Sequence, residues 1–177
     1  SDLTVTPAVR ERVRRLAARR KDKIILADSR LYIDKFRGVR VKANEHESQR
    51  LLGARGAPQD AVALARAGCA RARRSGLPIF VTLGARGMLV CRADGAVRWP
   101  AWPVTGPIDI VGAGDAVTAS VAAALAAGAS DDDAGFLGVL VSSVTVQQIG
   151  VTGVARPAEV RSRYREYVRR FPEADAT

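Results

Sequence analysis

A chain of 177 residues with 47% hydrophobic content is long enough for one domain with a real core, and its composition argues against disorder. The formal charge of +10 invites a nucleic-acid reading, but 24 of the 28 basic residues are Arg, scattered over residues 10–20, 66–74 and 156–170, and aromatics are only 5%. Few rings are available for bases to stack on, so a nucleic-acid partner is not expected. Thr6-Pro7 opens a helix as cap and first residue, and Val9, Val13, Leu16 and Ala17 recur at helical spacing behind it. Residues 23–28 then form an apolar run ending on Asp28, predicting a buried strand. Residues 39–42 alternate as a second strand, followed by Asn44-Glu45-His46-Glu47.

A helix is expected over residues 60–74, broken by Gly76, and then a strand over residues 77–82. Residues 84–87 make a tight turn. Residues 88–92 and 96–99 are two strands joined by the hairpin signal Asp94-Gly95. A helix over residues 113–127 stops at Gly128, Ser130 caps another over residues 131–148, and a basic helix fills residues 157–170. Alternating helices and strands predict an α/β sheet covered on both faces. The longest apolar run, residues 113–129, carries Asp115 in its first turn and reads as a buried helix rather than a membrane span. No leader is visible, so a soluble cytoplasmic protein with no membrane partner is expected. Cys69 and Cys91 form no CxxC pair, and two buried thiols in a reducing compartment are expected. Trp99 and Trp102 read as sheet packing rather than a sugar platform.

The chemistry concentrates in Asp109-Ile110-Val111-Gly112-Ala113-Gly114-Asp115. Two Gly separated by Ala let the backbone turn so that successive N–H groups converge, and a helix begins at once. Its unpaired N–H groups and dipole add to the same spot, which makes an anion hole suited to phosphate. Asp115, in the first turn, stands ready to take a proton. A phosphate site beside a base is what phosphoryl transfer to an alcohol requires. Alone, so short a pattern is equally a Gly-rich turn with an ordinary first-turn acid.

Its neighbours sharpen the reading. The segment resembles the D-T-x-G-A-G-D signature of the ribokinase-like, PfkB-type carbohydrate kinases: Asp109, Gly112, Ala113, Gly114 and Asp115 match, and Ile110 replaces the usual Thr. Asn44 and Glu47 match the family's N-x-x-E motif, which implies Mg²⁺ held largely through waters; read alone, the segment is more often a polar loop at a helix start. Thr82, Gly84 and Gly87 match a T-x-G-x-x-G turn that borders the nucleotide in relatives. The helix around Val139, Ser142, Ser143 and Val146 resembles the segment beside the adenine. Asp109 and the carbonyl of Val111 align with positions that hold a monovalent cation, K⁺, in some relatives; the alternative is that Asp109 caps a turn.

The resemblance runs from Ser1 to about Gly153 and covers only the C-terminal half of the family's pattern. It implies a three-layer α/β/α ribokinase-like sheet, incomplete because the N-terminal half and lid are absent, with residues 1–177 as the nucleotide-binding and catalytic part. It implies ATP-dependent phosphorylation of a sugar or sugar phosphate, with Asp115 as base and the Gly112–Gly114 backbone as anion hole. The Ala-rich helix after the GAGD motif is closest to the heptose-phosphate kinase branch. At a strand end, Asp28 and Arg30 are the candidate substrate contacts, or else an ordinary salt link. Alone the chain is expected to be inactive. Its missing half, or a complementary chain, is the expected partner, with a homodimer once complete. A nucleoside or hydroxymethylpyrimidine kinase, or a nucleotide-binding protein without chemistry, are the alternatives.

Overall fold

Three parallel strands anchor the architecture. A computed structural model describes residues 5–53 and 60–172; the Ser1-Asp2 opening of the family resemblance lies outside them. Strands β1 (Leu26–Ala27), β2 (Arg40–Asn44), β3 (Ile79–Thr82), β4 (Met88–Cys91) and β5 (Ala96–Trp99) form one sheet in that spatial order. The first three run parallel, with Ala27 opposite Val41 and Asn44 opposite Thr82. The connections 83–87 and 92–95 are too short for parallel crossovers, so β4 and β5 continue as hairpins and the sheet is mixed. At the second hairpin Arg92 N–H donates to Gly95 O at 2.8 Å.

Among the described residues six helices accompany the strands: α1 (Pro7–Arg19), α2 (Glu45–Leu52), α3 (Ala61–Ser75), α4 (Ala113–Ala126), α5 (Asp131–Thr145) and α6 (Pro157–Arg170). The chain divides into two compact units, Ser1–Leu83 with Leu89–Arg98, and Gly84–Met88 with Trp99–Thr177. Among the described residues no helix is long and apolar enough to cross a membrane.

The first unit closes on Ile33, Phe36, Val41, Leu64, Ile79 and Val81, all buried. Each such side chain contributes ~1.5–3 kcal/mol relative to exposure. Cys69 of α3 and Cys91 of β4 are both buried there as free thiols. Burial, and then Cys69, push the Cys91 thiol up to about 12. Gly68 is what lets α3 approach, since a Cβ there would lie 2.5 Å from Cys91 Sγ.

In the second unit Gly138 of α5 meets Val117 and Val121 of α4, both 3.3 Å from where its Cβ would be. An aromatic cluster seats α6: Trp99 stacks on Phe136 at 4.6 Å, Tyr167 sits edge-on to Phe136 at 4.9 Å, and the Tyr167 hydroxyl donates to Pro100 O at 2.8 Å. Trp102 lies under the Arg163 guanidinium at 4.9 Å. Trp99, the last residue of β5, thus stacks on α5, and Trp102, past the strand end, packs on α6.

Several boundaries differ from the sequence expectation. β1 is two residues long rather than spanning 23–28, because only its end lies alongside Arg40 and Val41. β2 begins and ends later, at Arg40 and Asn44. Helix α5 stops at Thr145, three residues short, where Gln148 turns back to clamp the following loop. Strand and helix do not alternate throughout, since the last three elements are all helices.

Candidate functional site

Parallel strands present ligand-binding groups at their carboxyl ends, and the ends of β1, β2 and β3 carry Asp28, Asn44 and Thr82. Asn44 closes β2 and caps α2. Its Oδ1 accepts from Glu47 N–H at 2.9 Å, while Glu47 Oε2 accepts from Asn44 N–H at 2.8 Å. This reciprocal capping box fixes both side chains, so the motif is at once a helix start and a rigid oxygen pair. Glu47 is buried, with its Oε2 spent on the cap. Among the described residues no cluster of three His, Cys, Asp or Glu side chains could cage a metal. The donor set present is hard oxygen, fitted to an ion that keeps its waters.

Asp28 is ion-paired. Lys42, buried in the middle of β2, reaches its Oδ2 at 2.9 Å. Breaking a pair with one buried partner costs several kcal/mol, so Asp28 neutralises Lys42. Arg30 is exposed, and its carbonyl accepts from the Arg50 guanidinium of α2. Lys42 was passed over in the sequence; the signal was a lysine inside an alternating strand whose neighbour ends on an acid.

In the second unit the turn before α4 is built on Gly112, whose φ of 78° is left-handed. Ala113 N–H bonds back to Ile110 O at 3.2 Å and Ala116 N–H to Gly112 O at 2.9 Å. The amides of Gly114 and Asp115 are left without an acceptor among the described residues, as helix geometry demands. Of the expected Gly112–Gly114 stretch only Ala113 N–H is spent on the turn, and the unpaired amides extend to Asp115. The Asp115 side chain is exposed and has no hydrogen bond or ion pair among the described residues.

Asp109 has the opposite character. Its Oδ1 accepts from Val111 N–H and its Oδ2 from Gly150 N–H, each at 2.9 Å, and its own N–H donates to Val146 O at 2.8 Å. It ties the 109–111 turn to the loop after α5. These two amides, Val111 foremost, hold its carboxyl below the ordinary carboxylate range. A depressed folded value means the tie stabilises at neutral pH and is lost as pH falls through that value. Asp109→Asn should therefore flatten the acid limb of a Tm-against-pH curve, where pH falls below the ordinary carboxylate range; an unchanged limb would show that the tie carries no stability.

The loops beside the turn expose Ile108, Ile110, Val111, Ile149, Val151 and Val154, with Ile110 at 72% and Val111 at 71%. The sequence reading missed this apolar rim, because Ile110 and Val111 lie inside the motif while Ile149, Val151 and Val154 follow only after α5. Of the predicted adenine-side residues on α5, Val139 and Ser143 are buried, and Ser143 Oγ accepts from Arg163 of α6 at 2.9 Å. Ser142 and Val146 are half-exposed. Gly84 is exposed with open space around it, whereas Gly87 is buried against the backbone of residues 99–101. The glycine at 87 is thus required by the chain's own packing.

Comparison with known proteins matches residues 7–158 to the model of the pfkB family of carbohydrate kinases. The chain is 44% identical over 86 residues to the bifunctional protein HldE of Bradyrhizobium diazoefficiens, covering 48% of this chain and 17% of that protein. It is 41% identical over 96 residues to HldE of Bradyrhizobium sp. strain ORS 278, covering 54% and 19%. Among solved structures, ribokinase of Arabidopsis thaliana complexed with ribose and ATP superposes with a TM-score of 0.68 at 20% identity, over 88% of this chain and 50% of that one. Phosphofructokinase-2 from Escherichia coli in complex with potassium gives 0.72 at 19% identity, over 89% and 52%. The fold is ribokinase-like, and the aligned part spans about half of these structures and under a fifth of the two HldE proteins. The chain belongs to the pfkB family of carbohydrate kinases.

Proposed function

We propose that this chain is the nucleotide-binding and catalytic part of an ATP-dependent sugar kinase. Asp115 takes the proton from the acceptor hydroxyl as that oxygen attacks the γ-phosphorus, and ADP leaves. The Gly114 and Asp115 amides face the charge that develops on the transferring phosphoryl group; one such donor is worth ~3–4 kcal/mol of transition-state stabilisation. The observation that carries the reading is the pairing of a free, exposed carboxylate with unpaired first-turn amides behind a left-handed Gly112.

Mg²⁺, when bound, neutralises the phosphate charge, and Asn44 and Glu47 would hold it through waters. Thr82 and Gly84 border the phosphates, and Ile149 and Val151 offer apolar surface to a flat base. Asp109 and the Val111 carbonyl are the residues that would take a K⁺ ion. The acceptor is a sugar or sugar phosphate, the branch resemblance favouring a heptose phosphate. The remaining half of the family fold, supplied by a longer chain or a partner, completes the sugar pocket, and the complete enzyme is a homodimer. Nucleic acid and membrane have no part in this reading.

A coupled ADP-release assay over a panel of sugars, sugar phosphates and nucleosides tests it. The 177-residue chain alone is expected to show no turnover. The chain joined to a family N-terminal half should turn over sugars or sugar phosphates. Turnover of nucleosides alone would move the assignment to the nucleoside-kinase branch.

A further inference from the structure

The amino ends of β2 and β3, roughly 16 Å along the strands from Asn44 and Thr82, carry a second concentration of chemistry. A cleft of about 290 Å³ opens there, walled by Val39, Leu77 and Ile79 and lined by Arg37, Arg71 and Arg74. A neighbouring cleft of about 250 Å³ shares Gly38, Val39, Ser75 and Leu77 with it and adds Arg20, Lys21, Lys23 and Arg40.

The three arginines come from separate places. Arg37 follows a short 3-10 turn (Ile33–Lys35), and Arg71 and Arg74 lie in the last turns of α3. Arg37 donates to Phe36 O at 2.9 Å and to Asp34 O, and Arg71 donates to the same Phe36 O at 3.4 Å. Among the described residues none of the three has a carboxylate within ion-pair distance; the carboxylate of Asp34 is paired with Lys35 at 3.0 Å. Burial, then Arg37 and Arg74, weaken the hold of Arg71 on its proton, only partly offset by Asp34. Basic residues at a helix C-terminus complement its dipole, which accounts for Arg74. It does not account for Arg37 arriving from another loop to face Arg71. Three guanidinium groups crowded without a counter-charge, Arg71 half-buried and Arg37 and Arg74 exposed, repel one another, and an anion in the cleft relieves that repulsion.

We propose that this cleft is an anion site for a small oligophosphate group, gripped by Arg37, Arg71 and Arg74 and separate from the transfer site. Guanidinium forks match phosphate geometry, and the cleft is of a size for a di- or triphosphate rather than a helix of nucleic acid. The apolar floor of Val39, Val41 and Ile79 excludes water from beneath the charges.

Calorimetric titration of the 177-residue chain with inorganic tripolyphosphate tests this, with ATP and duplex DNA as parallel ligands. The Arg37→Gln/Arg74→Gln variant removes two charges from the cleft, and Arg165→Gln/Arg169→Gln removes two exposed charges from α6. The expected result is a saturable tripolyphosphate site weakened at least ~10-fold by the cleft variant and unchanged by the α6 variant, with matching thermal melts showing that both fold. ATP losing affinity in parallel would name a nucleotide as the source, and ATP unaffected would name a non-nucleotide phosphate. Equal weakening by both variants, no weakening by the cleft variant, or binding to DNA alone would each overturn the proposal.

Discussion

Alanine at position 87 is expected to destabilise the chain by at least ~3 kcal/mol, while alanine at position 84 costs about 1 kcal/mol. Both glycines have positive φ, 97° and 55°, so both substitutions strain the backbone. The surroundings separate them. A Cβ at 87 would lie 1.9 Å from Trp99 O and 2.6 Å from Ala101 N, and these are backbone atoms that cannot rotate away. Those residues also lead into the aromatic cluster through Trp99 and the Tyr167–Pro100 hydrogen bond. At 84 nothing lies within 4 Å. Urea midpoints of the two variants check this; equal, small shifts would mean that the 87–99 contact is not part of the folded state.

Asp115→Asn is expected to lower turnover of the complete enzyme by at least ~10²-fold, the scale of losing a general base. Asparagine keeps the shape and leaves the Gly114 and Asp115 amides in place, so nucleotide affinity should change little. It removes only the capacity to accept the hydroxyl proton. The Asp115 side chain makes no hydrogen bond or ion pair among the described residues, so stability should also be unaffected. A fall in kcat with KM for ATP unchanged is the signature of an interaction made only in the transition state.

Much of the fold was legible because its signals are local. Thr6 with Pro7, Gly76 and Ser130 mark the helix ends they suggested, since a cap is decided by the two or three residues beside it. The order of the motifs was equally readable, and it led to the family. What the sequence hid depends on distant partners. Lys42 looks like a surface residue until Asp28, fourteen positions earlier, is brought alongside by strand pairing. The tie from Asp109 to Gly150 spans 41 positions. The arginines at 37, 71 and 74 converge only once β2 and α3 are in place. The candidate site shows the same division: the Gly-rich turn was visible, but the loss of Ala113 N–H to Ile110 was not.

The two aspartates of the signature offer the sharpest measurement. Asp109 has both carboxylate oxygens committed to backbone amides, and Asp115 has neither committed among the described residues. Single-turnover transfer of the γ-phosphoryl group, measured in the complete enzyme beside the Tm, should separate them. Asp115→Asn should abolish the fast transfer at unchanged Tm with ATP still bound, and Asp109→Asn should lower Tm while fast transfer survives. Fast transfer surviving in Asp115→Asn would contradict the assignment of this carboxylate as the base.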